Sequence, residues 1–107
     1  MFKIFQKISL ENINQIVEEI KNDSQAHLID VRTQQEFRGG HIPGSVNLPL
    51  DRAHTIEQIV PDKKTKLVVY CHSGARSAQA VGVFKRLGYE DVINAGGILD
   101  WTGSVRK

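Results

Sequence analysis

The only cysteine of the chain, Cys71, opens a short segment of small and polar residues. The residues that follow it are His72, Ser73, Gly74, Ala75 and Arg76. A cysteine thiolate is a strong nucleophile, and its pKa falls where hydrogen-bond donors or positive charge surround it. Gly74 lets the backbone turn tightly, so that successive N–H groups can point at one spot and favour an anion there, while small residues keep the loop open to solvent. The segment therefore predicts an accessible, reactive thiolate in a loop of main-chain amides.

The position of Cys71 bears on whether it is a nucleophile or a packing residue. Free cysteine is among the most buried residue types, so a lone cysteine often serves only the core. Cys71, however, directly follows the apolar, β-branched run 66–70 and precedes a helical pattern over residues 77–87. In a strand–loop–helix junction, the loop amides and the free N–H groups of the helix N-terminus converge. This position favours the nucleophilic role.

Two longer side chains in the loop have alternative roles. Arg76 either steers an anionic substrate or pairs with a nearby carboxylate. The pairing role is favoured, because a residue on the first helical turn can point away from the loop. His72 is a candidate base, but adjacent side chains in a tight loop diverge, so a solvent-facing position is expected. The loop amides can lower the thiol pKa without either side chain.

Alternating helices and strands are predicted to position this loop. Residues 10–21 have apolar side chains at helical spacing, with Ser9 as a candidate N-cap. Short strands are predicted at residues 27–31, 45–48, 66–70 and 91–94, a short helix at 55–60, and mostly turns around the capping-box pair Thr33 and Glu36. This order predicts an α/β fold, with a parallel sheet of about five strands and helices on both faces. Ligands of such sheets bind at the carboxyl ends of the strands, where Cys71 lies.

Length and composition exclude several classes of protein. The 107 residues fit one domain over residues 1–107, and a formal charge of +2 with interspersed basic and acidic residues does not favour nucleic acid as a partner. The longest apolar runs have five residues, far below the roughly 20 that span a membrane. The N-terminal residues lack the continuous apolar segment of a secretion signal. We therefore expect no membrane segment and a cytoplasmic location.

Several short motifs occur along nearly the whole chain. They are residues 28–32 (Leu-Ile-Asp-Val-Arg), Glu36-Phe37, residues 40–49 (Gly-His-Ile-Pro-Gly-Ser-Val-Asn-Leu-Pro), the Cys71 loop with Ser77, Gly96-Gly97 and Trp101. In this order and spacing they resemble the rhodanese-like domain in its small single-domain sulfurtransferase form. The resemblance implies that Cys71 takes a sulfane sulfur from a small anionic donor such as thiosulfate. It would carry the sulfur as a persulfide and pass it to cyanide or a thiol, including a protein thiol.

The resemblance also implies roles for the surrounding residues. The loop His72, Ser73, Gly74, Ala75 and Arg76 would bind the donor and the persulfide, with Asp30, Arg32 and Ser77 in supporting positions. A ring of N–H donors stabilises a persulfide without help, so no cofactor is expected. No metal is expected either, because the histidines are dispersed and there is one thiol.

Two other functions stay open at this point. A regulatory module that docks a partner, or relays a persulfide between proteins, would share the same motifs without turning over a small donor. Cysteine phosphatases and arsenate reductases have one residue more between cysteine and arginine than the four residues found here. A shorter ring suits a single sulfur atom and is tight for a phosphoryl group whose oxygens must all be bound. Tyr70 also stands where many cysteine phosphatases have histidine.

Other residues of these motifs are predicted to be structural. Asp30 ends a strand and is expected to hold neighbouring N–H groups. Arg32 and Glu36 have i,i+4 spacing and are expected to form a local ion pair. The Gly96-Gly97 pair is expected to form a turn that leads Trp101 onto the core.

Overall fold

Short parallel strands alternate with helices in the computed structural model, which describes residues 12–107. The α-helices are α1 (Ile13–Ile20), α2 (Gln34–Arg38) and α3 (Ala75–Arg86). The strands are β1 (Ala26–Asp30), β2 (Val46–Asn47), β3 (Lys66–Cys71) and β4 (Val92–Gly97), and 3-10 helices span Leu50–Gln58 and Ile98–Asp100. The strands form one parallel sheet in the order β2-β1-β3-β4. The α/β class is confirmed.

The described residues correct several sequence-based expectations. Their sheet has four strands rather than about five, since the apolar residues between these strands belong to helices and turns. The expected helix at 55–60 overlaps the end of the 3-10 helix Leu50–Gln58, and residues 59 and 60 lie beyond it. The buried residues of this 3-10 helix, Ala53 and Ile56, have the i,i+3 spacing of that helix type. Helix α1 begins at Ile13 because Asn12 caps it. The expected cap, Ser9, lies outside the described residues.

Strand β3 separates two apolar cores. Its residues Leu67, Val69 and Cys71 belong to the core that α3 and the 3-10 helix Leu50–Gln58 cover. The intervening residues, Val68 and Tyr70, belong to the core on the α1 side, because side chains alternate along a strand. Cys71 therefore faces α3 at the carboxyl end of the sheet. Between residues 12 and 107, no helix is long and apolar enough to cross a bilayer.

Strand β4 contains a bulge next to the Cys71 loop. Tyr70 pairs with Gly96 and the residue before it pairs with Asn94, so Ala95 is an extra residue in the ladder. Gly96 has a φ of 96°, which glycine adopts readily. Gly96 and Gly97 thus end a strand, and the turn expected for them was wrong. The bulge changes the direction of β4 where it meets the loop.

The Cys71 loop lies directly against the backbone of β4. A Cβ atom at Gly97 would lie 2.1 Å from the carbonyl oxygen of His72 and 2.5 Å from the Cα of Ser73. Both separations are below 3.0 Å, so a side chain at this position would displace the loop. The path of the loop therefore requires glycine at position 97.

We predict that Gly97→Ala lowers the free energy of unfolding by about 1 to 3 kcal/mol, as forced overpacking does. Gly82→Ala in α3 is the matched control, because its Cβ would meet nothing closer than the Arg86 side chain at 3.6 Å. The control should stabilise the protein by about 0.5 to 1 kcal/mol, since alanine favours helix. Thermal unfolding measures both. An unchanged midpoint for Gly97→Ala would contradict the described contact between loop and strand.

Candidate active site

The Cys71 sulfur lies at the start of the loop and receives hydrogen bonds from it. The Gly74 N–H donates to Sγ at 3.0 Å, and the Ser77 hydroxyl oxygen lies 3.4 Å from Sγ. Gly74, with a φ of 108°, is the N-cap of α3, so this helix begins at Ala75, two residues before the expected start. The Ala78 N–H bonds to the Gly74 carbonyl. The N–H groups ahead of Ala78 therefore precede the helical ladder and are available to an anion.

Cys71 is less accessible than the sequence predicted. The residue is 1% exposed, whereas the loop residues His72, Ser73 and Ala75 are exposed. The Cys71 side chain belongs to the core that α3 covers, and the Gly74 N–H also lies against the sulfur, at 3.0 Å. Any molecule that reacts with the sulfur therefore has to reach it between the exposed loop residues.

Opposing effects set the acidity of the thiol. Burial raises the pKa of Cys71, because water no longer solvates the thiolate. The Ser77 hydroxyl and the N–H groups of Ser77, Gly74 and Ser73 lower it, and their combined effect places the pKa of Cys71 below its usual value. The sulfur is thus buried but not sealed in an apolar environment, and the amides are turned toward it.

Ser77 is the best-connected polar side chain at the sulfur, and it is fully buried. Its hydroxyl lies within hydrogen-bond distance of the Asn94 Oδ1 at 2.7 Å and of the Gly74 carbonyl at 3.0 Å, besides the sulfur. The family resemblance implied only a supporting position for Ser77. Its place six residues after the cysteine, in the first turn of the following helix, is the signal that could have assigned it this contact. No sequence signal indicated Asn94.

Arg76 is paired with a carboxylate. Its guanidinium binds Glu36 in a bidentate pair, with Nη1–Oε1 at 2.7 Å and Nη2–Oε2 at 3.0 Å, as the favoured alternative expected. Hydrogen bonds from Arg76, opposed by partial burial and helped by Thr33, lower the pKa of Glu36 to about 2. The positive charge of Arg76 is therefore paired with a carboxylate of α2. His72 is exposed, in agreement with the solvent-facing position.

Asp30 and Arg32 form a buried ion pair at the carboxyl end of β1. The Asp30 carboxylate accepts the Arg32 N–H at 2.9 Å and the Arg32 Nη2 at 2.7 Å, and Nη2 also donates to the Gly40 carbonyl at 2.8 Å. The expected pair between Arg32 and Glu36 was wrong. Arg32 precedes the N-cap of α2, so the i,i+4 geometry of a helix does not apply to it. This pair links the end of β1 to the Gly40 turn, away from direct contact with the sulfur.

We predict that Ser77→Ala raises the pKa of the Cys71 thiol by about 0.5 to 1 unit, because the thiolate loses a hydroxyl donor. The pH dependence of alkylation by iodoacetamide measures this pKa. Ser73→Ala is the matched control, since Ser73 contributes its main-chain N–H, which alanine retains. Equal midpoints for Ser77→Ala and the unmodified protein would show that the hydroxyl does not act on the sulfur.

The chain is similar in sequence to proteins named as sulfurtransferases. Over 75 residues the chain is 40% identical to thiosulfate sulfurtransferase PspE of Escherichia coli (strain K12), covering 69% of this chain and 72% of that protein. It is 34% identical over 109 residues to thiosulfate:glutathione sulfurtransferase of Saccharomyces cerevisiae, covering 90% of this chain and 77% of that protein. Some relatives are longer proteins, of which the chain spans 51% or 23%.

A solved structure and a family match give the same assignment. The solved structure titled "rhodanese with anions from E. coli" has a TM-score of 0.72 and 37% identity to this chain. The match covers 77% of this chain and 98% of the other chain. The family described as Rhodanese-like domain matches residues 14–104, which include the Cys71 loop, the Asp30–Arg32 pair and the bulged strand β4. The chain belongs to the rhodanese-like domain family.

Proposed function

We propose that this protein is a sulfurtransferase that moves a sulfane sulfur from an anionic donor such as thiosulfate to a thiol or cyanide, through a persulfide on Cys71. The observation that carries the proposal is the contact between the Cys71 sulfur and the loop that follows it. The Gly74 N–H lies 3.0 Å from Sγ, and the surrounding donors lower the pKa of the thiol despite its burial. Relatives named thiosulfate sulfurtransferase and thiosulfate:glutathione sulfurtransferase support the donor and a thiol acceptor.

The proposed reaction has two displacements at sulfur. The Cys71 thiolate attacks the outer sulfur of thiosulfate, a bond forms between the two sulfurs, and sulfite leaves with the electron pair of the broken S–S bond. The persulfide carries the negative charge on its outer sulfur. A thiolate or cyanide then attacks that outer sulfur, and Cys71 leaves as the thiolate. Neither displacement needs a proton donor or an external oxidant.

The loop amides supply the electrostatic stabilisation in this scheme. As charge moves from Sγ to the outer sulfur, the N–H groups of residues 72–76 would hold it. Fixed main-chain dipoles in a site with little water need no reorganisation during the reaction. Because Arg76 is bound to Glu36, these dipoles, and not a free guanidinium, would do most of the binding.

A second function is favoured by one observation, the 1% exposure of Cys71. A buried sulfur fits a partner-docking module that keeps the fold without turning over small donors. A persulfide relay between proteins would also fit, with the partner opening the loop. Incubation with thiosulfate separates these functions from the proposed enzyme, because only the enzyme would take sulfur from a small donor.

We predict that incubation with thiosulfate adds one sulfur atom to Cys71, because the thiolate displaces sulfite. Mass spectrometry of the intact protein measures the added mass, and cyanide should remove it again as thiocyanate. Cys71→Ser should acquire no sulfur and form no thiocyanate, while its thermal unfolding stays close to that of the unmodified protein. An unmodified protein whose Cys71 still reacts with iodoacetamide would favour the docking module.

We also predict that the protein does not hydrolyse an aryl phosphate. The ring closed by the four residues between Cys71 and Arg76 is small for a phosphoryl group, and the arginine is held by Glu36. Release of the phenol, followed by absorbance, is the measurement, with Cys71→Ser as control. Turnover that depends on Cys71 would replace sulfur transfer with phosphoryl transfer as the chemistry of this site.

A further inference from the structure

Asn94 of β4 contacts the active-site loop through both atoms of its side-chain amide. Its Oδ1 lies 2.7 Å from the Ser77 hydroxyl and accepts the Gly96 N–H at 2.9 Å, while its Nδ2 donates to the Gly74 carbonyl at 3.2 Å. The Gly96 N–H can only donate, and the Gly74 carbonyl can only accept. One orientation of the amide satisfies both groups, so Asn94 presents an acceptor to Ser77.

The Ser77 hydroxyl has one proton and several acceptors within reach. The Asn94 oxygen is the nearest, at 2.7 Å, and the Gly74 carbonyl follows at 3.0 Å. The Cys71 sulfur and the Gly96 carbonyl both lie at 3.4 Å. With the proton directed at Asn94, the hydroxyl oxygen offers a lone pair to the sulfur and stabilises the protonated thiol. With the proton directed at the sulfur, the hydroxyl stabilises the thiolate.

Turning the hydroxyl toward the sulfur leaves neither of its two nearest acceptors without a donor. The Asn94 oxygen keeps the Gly96 N–H, and the Gly74 carbonyl keeps the Ala78 N–H at 3.1 Å together with the Asn94 amide. The penalty for an unsatisfied buried group therefore does not arise in either orientation. What decides the orientation is the competition between the sulfur and the neutral oxygens around the hydroxyl, of which the Asn94 oxygen is the nearest.

We propose that Asn94 is a positioning residue that competes with the Cys71 sulfur for the Ser77 proton and so limits how strongly the thiolate is stabilised. In thiol exchange, the nucleophilicity of a thiolate falls as its pKa falls, and the best attacking thiol has a pKa near the ambient pH. The loop amides all act in the acidifying direction. A competing acceptor at β4 keeps the thiolate reactive, which deepens the proposed function by assigning a residue that tunes its nucleophile.

Charged and titratable groups near Cys71 lie on other elements and stay unchanged in the test. They are Arg76 of α3 with its partner Glu36 of α2, Asp30 of β1 with its partner Arg32, and His72 of the loop. Asn94 carries no charge, so replacing it by alanine changes hydrogen bonding without changing the local charge. The effect of the replacement can therefore be assigned to the hydroxyl.

The test is the pH dependence of Cys71 alkylation by iodoacetamide in Asn94→Ala, in Ser77→Ala and in the double variant. Asn94→Ala should lower the midpoint by about 0.5 unit, because the hydroxyl loses its nearest acceptor and the charged sulfur then competes only with the neutral carbonyl oxygens of Gly74 and Gly96. Its limiting rate at high pH should fall by less than about two-fold, as expected for a more acidic thiol. In the Ser77→Ala background, replacing Asn94 should leave the midpoint unchanged.

Other outcomes would overturn the proposal. If Asn94 only holds the loop in place, its removal loosens the amides around the sulfur, so the midpoint rises or stays, and it shifts alike in both backgrounds. Should Asn94→Ala not fold, Asn94→Asp can replace it in the same comparison of single and double variants. Its carboxylate is a stronger acceptor, and the midpoint should rise more with Ser77 present than with alanine there; equal rises would contradict the competition.

This test does not depend on sulfur transfer. Alkylation needs no sulfur donor, so a protein that takes no sulfur from thiosulfate would still give a midpoint for each variant. Failure of the proposed function and failure of the role assigned to Asn94 are therefore separate results.

Discussion

The negative charge of the Cys71 sulfur is stabilised by main-chain N–H groups and one hydroxyl, without a free cation from the loop. Burial acts against this charge, and the donors prevail because they lie close to the sulfur, with the Gly74 N–H at 3.0 Å. Hydrogen-bond energy falls steeply with distance and misalignment. Every contact that fixes the loop backbone therefore helps to keep the pKa of the Cys71 thiol low. Arg76, whose charge is bound by Glu36, serves this purpose as a link between α2 and α3.

Two kinds of contact fix the loop, one on each side of the sulfur. On the β4 side the constraint is steric, because the absence of a side chain at Gly97 lets the loop backbone lie on the strand. On the other side it is ionic, through Arg76 and Glu36. Deeper in the fold, a second ion pair, Asp30 and Arg32, fixes the end of β1 against the Gly40 turn. The deeper pair is buried, and removing one partner of such a pair leaves an uncompensated charge that costs about 3 to 5 kcal/mol. The fold thus positions a few N–H groups by packing and by charge together.

The sequence predicted those features that depend on local patterns. The β-branched run of β3, the apolar face of α1 and the capping box at Thr33 each need only neighbouring residues, and the α/β class follows from their order. The bulge at Ala95 and the contact of Asn94 with the loop depend on how β4 registers against β3, which no short pattern encodes. The same holds for the burial of Cys71. A single domain over residues 1–107 and a cytoplasmic location stay predictions.

The contacts of Ser77 connect the resting site to the proposed persulfide. An S–S bond is about 2 Å long, so forming the persulfide moves the negative charge outward by that distance. The Ser77 hydroxyl faces Sγ, which would then carry little charge, and the Asn94 oxygen lies 2.7 Å from that hydroxyl in the resting protein. With the proposed roles, the hydroxyl proton would then be held by Asn94, and it would turn back to the sulfur when an acceptor removes the outer atom. Stabilisation of Cys71 as a leaving group is thereby available at the step in which its thiolate forms.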